Sequence, residues 1–196
     1  ELIDILLSTF TMIDPNDLSS EPIDSSSDPH SYAACCLINI FKINHRTVFN
    51  SVKKFWSEIY TKYHEKDNGE SYNLFLDENI PWTEKHALLL SISVICENMD
   101  DYDCYNVKYY HNDIKEATEK LLENIKYEKD IKKEIISFLT EESIAPGFRI
   151  FNDFVLQAVD SPIPRIVDTA FYTIKMCLKY QIGTEINSSS TFSLLM

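Results

Sequence analysis

Apolar residues recur along this chain at three- and four-residue spacing, the period of a helix buried on one face. From Leu2 to Met12, Leu2, Ile3, Leu6, Leu7 and Phe10 make a short stripe, and Asp14-Pro15 ends it. Residues 14–30 are rich in Ser, Asp and Pro and read as a flexible acidic loop. Asp28-Pro29 is a cap followed by a first-turn proline, and it opens a helix reaching about Ile43. That segment is apolar nearly all round, so it is expected to be central and buried. Arg46 to about Lys66 carries Val48, Phe49, Val52, Phe55, Trp56, Ile59, Tyr60 and Tyr63 on one side and Lys53, Lys54, Glu58, Lys62 and Glu65 on the other. Trp56 lies within the stripe and reads as core rather than as a partner anchor.

Lys66-Asp67-Asn68-Gly69 is a helix stop. An irregular connector follows over 70–82, and Thr83 is the expected cap of a second all-apolar helix through Leu88, Ile92 and Cys96. Asp113-Ile114-Lys115-Glu116 matches a capping box, and helices are expected from there to Ile125 and from about Lys129 to Thr140. Ser143 to Gly147 is a turn. A helix from Phe148 to Val159 is expected next. Ser161-Pro162 then starts a long helix ended by Gly183, with Ile166, Ala170, Phe171 and Ile174 as core. The pattern predicts an all-α protein of about eight helices in antiparallel pairs. It forms one domain over residues 1–183, followed by a loose tail at 184–196.

Two arrangements fit. One is an α-solenoid. The run Asp160-Ser-Pro-Ile-Pro-Arg-Ile-Val-Asp-Thr-Ala170 resembles the second-helix signature of HEAT repeats, in the wider HEAT/armadillo class. The likeness is confined to about 20 residues, its Arg-to-Ala spacing departs from the pattern, and no fixed period runs along the chain. It implies capping and inter-repeat roles for Asp160 and Arg165 and a peptide-binding groove between neighbouring helices. The other arrangement is a compact globular bundle, similar to Bcl-2-like proteins in size and helix count. The Asn-Trp-Gly-Arg motif of that family is absent here. The likeness is one of fold, and it implies a groove that sequesters a partner helix.

Composition narrows function more than fold. The net charge is −13, and Arg occurs only at 46, 149 and 165. Phosphate recognition needs clustered cations, so a nucleic-acid reader is not expected. No apolar run reaches the length of a membrane span. Five cysteines, an odd number without metal-ligand spacing, predict reduced thiols and an intracellular protein, cytoplasmic or nuclear. The chain starts at Glu1, which suggests a fragment or processed form.

With only three glycines, isolated at 69, 147 and 183, a Gly-rich phosphate loop is excluded. The five histidines share no face, and Cys35-Cys36 sits inside an apolar helix, a poor setting for a nucleophile. Neither a catalytic site nor a metal or other cofactor is expected. The alternative is a small all-α enzyme whose site residues meet only in the fold. Residues 97–106 hold Glu97, Asp100, Asp101 and Asp103 without a basic residue, interleaved with tyrosines. The EF-hand spacing fails there. Asp100, Asp101, Tyr102, Asp103, Tyr105 and Tyr109 are the expected partner-binding residues, suited to a basic peptide or an amphipathic helix. The expected function is a non-enzymatic protein–protein interaction module, an adaptor, scaffold or regulator.

Overall fold

A computed structural model of the chain describes residues 1–13, 29–64, 74–97 and 130–179. The described residues are helical, without strands, as the periodicity predicts. The α-helices are α1 (Leu2–Thr9), α2 (Pro29–Ile43), α3 (His45–His64), α4 (Trp82–Glu97), α5 (130–140) and α6 (Pro164–Lys179). Between α5 and α6 lie a π-helical turn, Phe151–Val155, and a 3₁₀ turn, Gln157–Asp160. A connected cluster of buried apolar side chains runs through all of these elements, from Leu7 to Cys177.

The packing is that of a compact bundle with α4 at its centre. Every residue of α4 from His86 to Cys96 is buried, which requires neighbours on all sides. It touches α2, α3 and, most extensively, α6. Two serines sit inside this apolar helix at no hydrogen-bonding loss. Ser91 Oγ donates to the Leu88 carbonyl at 2.7 Å and Ser93 Oγ to the Leu90 carbonyl at 2.8 Å. Trp56 is fully buried, as its stripe position predicts. Its Nε1 donates to Ser91 Oγ at 3.0 Å, and its ring meets Phe154 edge-on at 4.9 Å.

Across the α4–α6 seam, Thr169 and Thr173 satisfy their hydroxyls on the carbonyls one turn back, Arg165 and Thr169, both at 2.8 Å. Cys96 and Cys177 meet there with sulfurs 3.7 Å apart, both buried. The contact with Cys177, then burial, hold the Cys96 thiol well above its ordinary pKa.

Several local expectations change. α2 is not central. Tyr32, Cys35, Cys36 and Ile43 face solvent, Ile43 being 86 % exposed, while His30, Ala33, Ala34, Leu37 and Phe41 face the core. Pro29 and His30 belong to α2; the rest of the stretch expected as a loop, 14–28, lies outside the described residues. One residue separates α2 from α3. The Asn44 amide bonds the Ile40 carbonyl at 2.8 Å and closes α2, while its Oδ1 accepts from the Thr47 amide at 3.2 Å and the Thr47 hydroxyl at 2.8 Å. Asn44 is therefore an N-cap that lets the chain restart at once.

α4 begins at Trp82, so Thr83 is not its cap but a buried residue of its first turn. α6 begins at Pro164. Ser161 Oγ accepts from the Ile163 amide at 3.2 Å, which shapes the approach rather than capping the helix. Phe171 is 53 % exposed, not core, because Ile166 and Ala170 carry the buried face of α6. The helix expected over 148–159 is irregular. Gly147 reverses the chain at φ 77°, and the Asp153 carboxylate accepts from the Arg149 amide at 2.7 Å. The Leu156 amide then reaches back five residues to the Phe151 carbonyl at 3.0 Å. That widened turn lets Phe151, Phe154 and Val155 all enter the core. The stop at 66–69, the capping box at 113–116, Gly183 and the tail 184–196 lie outside the described residues.

Candidate functional site

α3 and α5 lie side by side and leave an open groove of about 400 Å³ between them, lined by Phe49, Lys53, Lys133, Glu134, Ser137, Phe138 and Ser143. Its floor is aromatic. The Phe49 and Phe138 rings meet edge to face at 5.6 Å between centroids, a favoured geometry for aromatic pairs. Both are buried in the core cluster, so the floor is rigid and only partly presented to solvent.

Helical spacing sets the walls. Lys53 stands one turn beyond Phe49 on α3, and its ammonium lies 4.5 Å from the centre of that ring. On α5, Lys133 and Ser137 are four residues apart and share a face, as do Glu134 and Phe138. The Arg46 guanidinium donates through Nη1 to both oxygens of Glu134, at 2.8 and 2.7 Å, and ties the start of α3 to α5. At the far end of α5, Ser143 Oγ donates to the Phe138 carbonyl at 2.6 Å and folds the following turn back.

The groove is edged by cations. Several other cations are held by carboxylates: Lys54 by Glu58 at 3.5 Å, Lys62 by Glu84 at 2.7 Å and Arg149 by Glu142 at 3.7 Å. The one acid in the groove, Glu134, is already engaged by Arg46. Lys53 and Lys133 meet no carboxylate among the described residues. Both lysines line a cleft with an apolar base in a chain of net charge −13.

The partner-binding residues expected from the sequence, Asp100, Asp101, Tyr102, Asp103, Tyr105 and Tyr109, all lie outside the described residues. Glu97, at the edge of that acidic run, is half-buried, and its Oε2 accepts from the Tyr172 hydroxyl at 2.9 Å. It joins α4 to α6 and does not stand out into solvent as a docking charge.

Sequence reasoning missed the groove. It placed Lys53 on the solvent side of α3 and Phe49 in the core stripe. The Phe49–Lys53 pair at the stripe's edge was a visible signal. That α5 lies against that edge is a tertiary fact.

Apolar side chains also stand on the outside of other helices: Leu2 and Ile5 on α1, Tyr32 and Ile43 on α2, Phe171 and Leu178 on α6. Among the described residues, no group of three or more His, Cys, Asp or Glu side chains is placed to hold a metal ion, and no helix is long and apolar enough to cross a membrane. The fold and groove thus define an all-α bundle with an open aromatic cleft edged by lysines. Comparison with family models, curated proteins and solved structures found no match.

Proposed function

We propose that this protein is a non-enzymatic protein–protein interaction module, an adaptor, scaffold or regulator, which engages a partner segment through the groove between α3 and α5. The observation that carries this reading is the groove's construction. It is open, floored by two packed phenyl rings, and walled by polar side chains at helical spacing. Such a surface suits an extended or helical peptide that lays apolar anchors on the floor. An apolar base with a polar rim is the usual anatomy of a protein–protein interface. The globular arrangement around a buried α4 also favours the sequestering of a partner helix, as in Bcl-2-like bundles, over the extended concave surface of a solenoid.

The test is affinity capture with the native chain and with Ser137→Trp, whose indole fills the groove. Partners recovered by the native chain and lost on S137W are expected. Recovery of the same partners on both proteins moves the working surface elsewhere, and recovery of none counts against the module reading.

A further inference from the structure

We infer that the occupant of the α3–α5 groove is an acidic segment of a partner protein, carrying an aromatic or branched aliphatic anchor flanked by Asp or Glu. The inference rests on the docking reading above and specifies its chemistry. It reverses the electrostatic expectation from composition. A chain with 31 acidic and 18 basic residues is expected to attract basic partners, yet this groove presents the opposite sign.

Three observations converge. First, Lys53 and Lys133 approach the groove from opposite helices and meet no carboxylate among the described residues. Second, the only carboxylate in the lining is neutralised by a two-point contact with Arg46, so the local charge stays positive. Third, the base of the cleft between the lysines is the packed, buried Phe49–Phe138 pair, which makes it apolar. Desolvating the lysines without a partner anion would be unfavourable, whereas an incoming carboxylate at each wall satisfies them. The net charge of −13 works against an acidic ligand at large, so local positive charge here selects the site as well as the partner. A second copy of the chain is disfavoured by the same net charge.

The experiment uses the full chain and three labelled helix-forming peptides with identical Leu and Phe anchors, flanked by Glu, by Gln or by Lys, with binding read by fluorescence anisotropy at low and high salt. The Glu peptide is expected to bind at least about tenfold more tightly than the Lys peptide, with the difference shrinking in high salt. In Lys53→Glu/Lys133→Glu, whose fold is verified by circular dichroism, the ranking is expected to invert. Equal affinity of the three peptides, with all binding lost on S137W, overturns the acidic class but leaves the groove reading standing. Binding of none of them overturns both. Sedimentation supplies a further arm. Self-association of the native chain that K53E/K133E abolishes would assign the groove to a second copy and overturn the partner claim.

Discussion

α2 and α4 are the two helices whose sequences are apolar nearly all round, and the protein treats them differently. α4 is enclosed on every side by α2, α3 and α6. α2 buries one face and leaves Tyr32, Cys35, Cys36 and Ile43 in solvent. Local apolarity states that a helix can be central. Which helix becomes central depends on how many partners the topology brings to it. α4 also carries the devices that total burial needs. Ser91 and Ser93 return their hydroxyls to their own helix, and Ser91 accepts the Trp56 indole. The outward face of α2 has Asn39 bonded back to the Cys35 carbonyl at 2.9 Å, a polar residue at ease in water.

The comparison can be broken most forcefully in α4. Leu89→Ala should cost about 2–5 kcal/mol in denaturant unfolding, the range for a fully buried leucine. Ile43→Ala on α2 should change stability by no more than about 0.5 kcal/mol. Similar losses at both sites would show that the outer face of α2 is covered in solution.

Next in size is Trp56→Phe. It removes the indole donor and leaves a void beside Ser91 and Phe154, for an expected loss of about 1–3 kcal/mol. Intrinsic fluorescence cannot report this variant cleanly, so thermal unfolding by circular dichroism is the suitable measurement. Gly147→Ala should cost about 1–2 kcal/mol, although nothing crowds an added Cβ, because the φ of 77° disfavours any L side chain. The same denaturation assay reads it.

The smallest effect lies where α2 passes into α3. Burial lowers the pKa of His45 below its ordinary 6.5, and its ring meets Phe41 edge-on at 5.1 Å. The unfolded chain therefore takes up this proton first. Stability is full above the unfolded value and declines as pH falls below 6.5 toward the depressed folded value. His45→Gln should flatten that slope in urea midpoints measured across the acid range. An unchanged slope would assign the pH dependence to another group.

Much of the fold was legible in the sequence because helices announce themselves by period and punctuation. The spans of α3 and of residues 130–140, the total burial of α4, the Gly147 turn and the core place of Trp56 all follow from stripes and breakers. The errors have local physical causes. Asn44 was overlooked as a cap because it serves two helices at once. The π-helical turn is invisible to a 3.6-residue template, since the bond from Leu156 to Phe151 spans five residues. The apolar spacing of α6 predicts Phe171 as core, yet one residue of rotation from buried Ala170, roughly 100° on a helix, carries it to the outside. The groove was least legible. Its lining is drawn from elements about 80 residues apart, and only the folded chain sets Lys53 opposite Lys133.

The two thiols in the α4–α6 seam make the molecule a recorder of its own breathing. Cys35 and Cys36 stand in water and would be consumed by an alkylating reagent at once. Cys96 and Cys177 are enclosed, and the Cys96 thiolate is scarce. Their labelling rate is then a clock set by how often the seam parts. Mass spectrometry of a timed alkylation would read that clock without any engineered probe, and any ligand that tightened or loosened the bundle would change its pace.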